Sequence, residues 1–349
     1  MKEKVLVMGA GHQGLAMAAH LSAHLVDCYV WNRSEGNISD IANKGSIVCT
    51  GILNGEIKIK KISTDIESVL QKIIMITTPS TGHRDIAKVL AKYVDSTYTI
   101  ILNPGRTFGV LEFISELKDN GCTSLPLVAE TQTILYTCRR DEANGVRIFA
   151  LKDKVKISTW DSSNVNKVIE CIPKCIRSYF VPAQSYIETS MGNVGMILHC
   201  APVLMNIGWI ENRRVDFEYY YEGISESISS VLEKLDRERV IVAERMGYKI
   251  ESISEWLMYT YHVCGKNLYE QLQNNVYYRG IDAPLSIHHR YIEEDVPNGL
   301  VALESAALYY NISTPITSTL IDFANIVMGV DYRKCGRNYA TLLNKLTNH

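Results

Sequence analysis

The sequence predicts an α/β unit built on a parallel, doubly wound sheet, followed by an all-α unit. Three observations carry this. Up to about residue 184, apolar runs of strand length alternate with amphipathic helical stretches, the pattern of strands joined by helical crossovers. Beyond about residue 185 helical periodicity takes over. A glycine-rich turn, Gly9-Ala10-Gly11-His12-Gln13-Gly14, stands directly between the first strand and the first helix.

The elements follow in order. "KVLVMGAGHQGLAMAAHLS" reads as a buried strand, a glycine turn and a helix, and "DCYVWNRS" as a second strand with a polar end. "GSIVCTGILNGEIKIKKIST" alternates around Asn54-Gly55 and reads as strand segments joined by a turn. "KIIMITTPSTGHRDIAKVLAKYV" repeats strand, turn and helix; "TYTIILNPGR" and "LPLVAETQT" are further strands ending in polar residues. "VRIFALKDKVKISTW" adds strand-like sequence before a helix at about 164–171. The pattern changes between 180 and 188, so the chain divides into 1–184 and 185–349. The second part reads as helices at about 190–211, 222–247, 252–273 and 300–329, with a long irregular insertion at 282–300.

Composition narrows the function. Lys and Arg number 36 against 38 Asp and Glu, and no basic stripe stands out, so no nucleic acid partner is expected. No apolar run is long enough to span a membrane, and the N-terminus lacks the pattern of a signal peptide. The nine cysteines are dispersed with no Cys-x-x-Cys, which reads as reduced thiols in a cytoplasmic protein without a metal centre. Tyrosines concentrate after Phe217; a tyrosine-rich helix at 217–232 is open to reading as core or as the interface of a homodimer.

Gly9, Gly11 and Gly14 form G-x-G-x-x-G in the context that gives the motif meaning, after a strand and opening a helix. The first permits the tight turn, the second admits a pyrophosphate, and the third lets helix and strand approach. With Ala10, His12 and Gln13 they form the expected dinucleotide loop of a Rossmann domain. At the end of the second strand an acid would chelate the adenosine ribose and select NAD. Asn32-Arg33-Ser34 stands there instead, and Arg33 can pair with a 2′-phosphate, so NADP(H) is preferred. Glu35 keeps NAD(H) open. Thr78 and Pro79 end the next parallel strand, on the side where the nicotinamide half lies. His83 follows, equally readable as a capping or surface histidine.

"MGNVGMILHCAPVLMNIGWI" (191–210) is an apolar helical stretch with His199 at its middle. Helical spacing puts Gly192, Gly195, His199 and Asn206 on one face, and Pro202 predicts a kink just past the histidine. A lone histidine here reads first as a satisfied core residue. Asp295 and Arg290 lie in the dense segment "HHRYIEEDVPNGLV", where a structural ion pair is the better reading of those two alone.

Taken together, "GAGHQG", "LNPG", "AETQTILYTCR", "GNVGMILHCAPVLMNIG", "RYIEEDVPNGLV" and "ISTPITSTLIDFANIVMGVDY" resemble the octopine/nopaline (opine) dehydrogenase family over nearly the whole chain. The resemblance implies a Rossmann domain followed by an all-helical domain, with the site in the cleft between them. It implies NAD(P)H-dependent reductive condensation of an amino acid with a 2-oxo acid such as pyruvate. It further implies that His199 is the catalytic histidine, Asp295 its partner and Arg290 a substrate-carboxylate ligand. Glu130, Thr131 and Gln132 are candidates for the amino acid's ammonium and carboxylate. Two other readings stay in view: an NADP-dependent reductase of a single 2-oxo or 3-hydroxy acid, and a dinucleotide-sensing protein without turnover.

Overall fold

The computed structural model describes residues 2–140, 145–212 and 216–347. The chain separates into two compact units, Met1–Thr189 and Ser190–His349.

The strands of the first unit are β1 (Lys4–Met8), β2 (Asp27–Trp31), β3 (Ser46–Gly51), β4 (Gly55–Lys58), β5 (Lys61–Ser63), β6 (Ile73–Ile76), β7 (Thr99–Leu102), β8 (Leu127–Thr131), β9 (Tyr136–Arg140), β10 (Gly145–Leu151), β11 (Val155–Thr159) and β12 (Phe180–Pro182). Its helices are α1 (His12–Ala23), α2 (Ser39–Lys44), α3 (His83–Leu90), α4 (Gly109–Asp119), α5 (Val165–Cys171) and α6 (Lys174–Arg177). Eight strands form the main sheet in the order β12-β11-β8-β7-β6-β1-β2-β5. It is parallel except where β11 meets β8. β1 sits near its middle, and Val5, Leu6, Val7 and Met8 are all fully buried, as a parallel strand covered on both faces requires.

A second sheet, β4-β3-β10-β9, goes beyond what the sequence pattern predicts. β3 pairs in parallel with β10, Val48 opposite Gly145, and β10 turns back antiparallel onto β9. Helix α1 packs against this sheet as well as against β1 and β2. The seam is polar: Gln13 Nε2 donates to the Tyr136 carbonyl at 2.9 Å, and His20 Nδ1 meets the Tyr136 hydroxyl at 2.9 Å.

The helices that follow are α7 (Tyr186–Met191), α8 (Gly195–Leu198), α9 (Cys200–Met205), α10 (Ile207–Asn212), α11 (Glu226–Arg245), α12 (Ile253–Tyr261), α13 (Leu268–Asn274), α14 (Arg290–Glu293), α15 (Val301–Tyr309), α16 (Pro315–Met328), α17 (Tyr332–Cys335) and α18 (Tyr339–Thr347). Three of the expected long helices are present only in pieces. The 190–211 stretch breaks at His199, whose backbone (φ −99°, ψ −65°) links α8 to α9. Pro202 falls in the first turn of α9, where its missing N–H costs little, so it does not kink a continuous helix. The 252–273 stretch breaks at His262, in the left-handed region at φ 56°, and restarts at Asn267, whose side chain accepts from Glu270 N. The third breaks at Asn311 (φ 55°) and restarts with Pro315 in the first turn of α16. Glu238 on α11 accepts from the Ile316 and Thr317 amides at 2.8 and 2.9 Å, placing a carboxylate on that helix's N-terminus.

The tyrosine-rich segment also differs from expectation. Helix α11 begins only at Glu226, with Ser225 as its cap, and residues 217–225 are not helical. Tyr219 and Tyr220 are buried within the second unit, so they offer no interface to another copy.

Candidate active site

The glycine loop is built by sterics. Gly9 sits at φ +109°, open to glycine but strained for other residues. A Cβ on Gly14 would lie 1.7 Å from the Gly9 carbonyl oxygen, so nothing larger lets α1 close onto β1. Gly11, by contrast, faces open space: a Cβ there would meet nothing within 4 Å, and no side chain caps α1. Uncapped first-turn amides beside an open glycine suit an anion. Thr78 adds a buried hydroxyl without a hydrogen-bond partner among the described residues, and its methyl closes on Gly9. Thr77 ties its hydroxyl to the Met8 and Gly9 carbonyls. These residues fit the pyrophosphate of a dinucleotide.

The end of β2 is connected to the same loop. Asn32 Oδ1 accepts from the Ala10 amide at 3.1 Å, and its Nδ2 donates to the Ser34 carbonyl at 2.8 Å. Asn32 therefore holds the loop. Arg33 is exposed and pairs at 3.1 Å with Asp85 on α3, itself exposed. Pro79 leads into the 3₁₀ turn Ser80–Gly82. Two expected contributors also contact the small sheet. The Gln13 side chain is committed to Tyr136 and Cys138, leaving its backbone for a cofactor. The His12 carbonyl accepts from the Cys138 thiol at 3.4 Å. His83 is fully buried, edge-on to Phe113, and is neither a surface nor a capping histidine.

The "ETQT" segment ends β8. Glu130 is fully buried and accepts from the Val110 amide at 2.8 Å, in the first turn of α4, and from the Thr189 hydroxyl at 2.7 Å. Thr131 donates to the Leu102 and Thr133 carbonyls. Both side chains also tie this strand end to its neighbours. Gln132 stays half-buried. Beside it lies a residue that sequence patterning does not reveal. Lys152 Nζ donates to Thr133 Oγ1 at 2.9 Å, and burial first, then the nearby Arg106 charge, lowers its amine to about 8. Arg106 follows the Asn103-Pro104 turn at the end of β7. Two cations thus gather near the carboxyl ends of β7 and β8; no local pattern in the sequence signals it.

In the second unit the structure brings His199 and Asp295 together. His199 Nδ1 lies 2.8 Å from Asp295 Oδ2; the carboxylate is fully buried and the imidazole 18% exposed. The break between α8 and α9 sets the histidine at a helix junction. Asp295 sits between α14 and a wide π-type turn at Val296–Leu300 that carries Pro297. The Tyr291 ring stacks on the imidazole with centroids 4.2 Å apart and planes within 11°. The Tyr219 hydroxyl donates to the His199 carbonyl, and His289 meets Tyr291 edge-on. Burial, then the charge of Arg290, lowers the His289 imidazole. Burial raises the Cys200 thiol well above its usual range, so it is no nucleophile. Arg290 is exposed and only loosely paired with buried Glu294, at 3.5 Å. Tyr291 stands one residue after Arg290 in the sequence; its ring chemistry was the available signal.

Among the described residues no group of three His, Cys, Asp or Glu side chains could hold a metal, and no helix is long and apolar enough to cross a membrane.

A family model described as NAD/NADP octopine/nopaline dehydrogenase, alpha-helical domain, matches residues 182–328. An opine dehydrogenase of Arthrobacter sp. (strain 1C) is 32% identical over 339 residues, covering 96% of this chain and 94% of that protein. Among solved structures, octopine dehydrogenase in complex with NADH and agmatine superposes with a TM-score of 0.78 at 19% identity, covering 100% of this chain and 98% of the other. Yersinopine dehydrogenase with NADP+ bound gives 0.76 at 13% identity, covering 98% and 95%. The two structures establish likeness of fold. The Arthrobacter relative, matched over nearly the full length of both chains, shows the kinship: the chain belongs to the octopine/nopaline (opine) dehydrogenase family and is an NAD(P)-dependent dehydrogenase.

Proposed function

We propose that the enzyme joins an amino acid to a 2-oxo acid and reduces the product to an N-(carboxyalkyl) amino acid, with His199 as its acid–base. The 2.8 Å bond from His199 Nδ1 to buried Asp295 carries this reading. The ionised carboxylate accepts only, so the proton sits on Nδ1 and leaves Nε2 as the base. Nε2 takes a proton from the substrate ammonium, and the freed amine attacks the 2-oxo carbon. The imidazolium returns that proton to the departing hydroxyl, which leaves as water. Asp295 balances the transient charge, and the Tyr291 face stacked on the ring favours it further. NADPH, when bound, supplies the hydride to the imine carbon. Overall, amino acid, 2-oxo acid, NADPH and a proton give the secondary amine, NADP+ and water.

Arg290, exposed and loosely held, offers its fork to a substrate carboxylate. In the first unit Glu130 is the candidate for the amino acid's ammonium and Thr131 or Gln132 for a carboxylate, with Lys152 beside Thr133. NADPH is favoured over NADH because no acid ends β2 and Arg33 is held only by an exposed pair. The yersinopine dehydrogenase structure, of like fold, holds NADP+. Free cysteines throughout fit a cytoplasmic setting.

The test is a matrix of amino acids against 2-oxo acids, followed by NADPH oxidation, with each 2-oxo acid also run alone. The proposal requires oxidation that depends on the amine and a product with a new C–N bond by mass spectrometry. Oxidation at equal rate without any amine would instead establish a single-substrate reductase.

A further inference from the structure

We infer that Arg140, at the end of β9, is a second cation for the 2′-phosphate of NADPH. The inference rests on the NADPH reading above. Arg140 Nη1 lies 3.4 Å from the Ala10 carbonyl oxygen and Nη2 lies 3.2 Å from that of Asn37. Ala10 is inside the glycine loop, and Asn37 closes the 3₁₀ turn Glu35–Asn37 directly after Asn32-Arg33-Ser34. One guanidinium therefore bridges the two segments that flank the end of β2. In a Rossmann domain that is where the adenosine ribose lies, its 2′ position toward the residues after β2.

The small sheet makes this reach geometrically natural. β9 lies along α1, and its Cys138 thiol donates to the His12 carbonyl, two residues before the strand's end. The chain then delivers residue 140 over the loop that α1 begins. The guanidinium is planar, permanently charged and donates along several directions, so contacts to two carbonyls orient it at this place. Arg33 approaches from the β2 side and Arg140 from the small sheet. Together they form a two-sided clamp of the kind that favours phosphate over a ribose hydroxyl.

The experiment is calorimetric binding of 2′,5′-ADP and 5′-AMP to the full chain and to Arg140→Gln, Arg140→Lys and Arg33→Ala. Glutamine keeps an N–H donor for the carbonyls and removes the charge. The wild type should bind 2′,5′-ADP more tightly than 5′-AMP. Arg140→Gln should weaken 2′,5′-ADP by about 10- to 100-fold, the range for a lost charge-assisted contact, and leave 5′-AMP within about twofold. Arg140→Lys should recover part of the difference. Equal weakening of both ligands would overturn the inference and make Arg140 a loop brace or pyrophosphate ligand. An undiminished preference in Arg140→Gln would overturn it too, while leaving the NADPH reading intact. A wild type that fails to distinguish the two ligands would overturn both. Melting temperatures of each variant separate loss of the fold from loss of the contact.

Discussion

His199 and Asp295, 96 residues apart in sequence, meet through an Nδ1–Oδ2 contact of 2.8 Å in which the carboxylate is wholly shielded from water. A carboxylate on one imidazole nitrogen fixes the tautomer and the orientation of the ring. His199→Ala should lower kcat by about 10²- to 10⁴-fold, the usual range for a positioned acid–base, with dinucleotide affinity unchanged. Asp295→Asn should act in the same direction. Steady-state kinetics with direct binding measurements check both; a His199→Ala enzyme of full activity would remove the histidine from the chemistry.

The Arg33–Asp85 pair gives a second expectation. Both partners are exposed, so the pair contributes little stability, yet Asp85 puts a negative charge beside the group offered to the 2′-phosphate. Asp85→Asn should lower KM for NADPH several-fold and leave KM for NADH and the melting temperature nearly unchanged. If NADPH and NADH respond alike, the pair has no part in selecting the cofactor.

Two glycines of one motif should fail differently. A methyl at Gly14 collides with the Gly9 carbonyl, so Gly14→Ala should destabilise the fold by about 1–3 kcal/mol or more. Gly11 has ordinary φ (−74°) and empty space around it, so Gly11→Ala should melt like the wild type but bind dinucleotide weakly. Thermal unfolding without ligand, followed by titration with NADPH, reads both. Equal melting temperatures for the two variants would contradict the packing argument.

His20 supplies a pH dependence. Burial, then the neighbouring His24, lowers its imidazole from 6.5 to about 4. The unfolded chain therefore binds more protons between those values, and stability falls as pH drops through that window. Because the ring is partly exposed, the loss is smaller than the full shift implies, about 1–2 kcal/mol. His20→Asn should flatten the melting temperature over that range relative to wild type. An unchanged slope would assign the acid sensitivity to other groups.

How much of this is legible in the sequence varies with the physics involved. Strands β1, β6, β7 and β8 are buried on both faces, and such strands show as unbroken apolar runs. The small sheet is half-exposed and depends on pairing Val48 with Gly145, which no local periodicity encodes. The glycine loop is legible because its residue types are sterically compelled. The neighbours of Glu130 are not, because its donors, the Val110 amide and the Thr189 hydroxyl, are distant from it in sequence. The His199 stretch reads as one helix since its apolar pattern runs through, whereas the backbone turns at the histidine itself. Arg140 and Lys152 are ordinary surface-type residues by composition, and only the β9–β10 hairpin gives them their neighbours.

The seam between α1 and the small sheet has a consequence for how the chain is made. Gln13 finds its partner 123 residues later, at Tyr136, and α1 meets both β9 and β10. When the first strand and helix leave the ribosome, the part of the helix's covering that β9 and β10 supply does not yet exist. The dinucleotide loop is synthesised well before the small sheet, but its helix cannot finish burying its outer face until β10 has emerged. During translation, the nascent first unit therefore waits on a late hairpin, and an early truncation leaves the glycine loop attached to a partly uncovered helix.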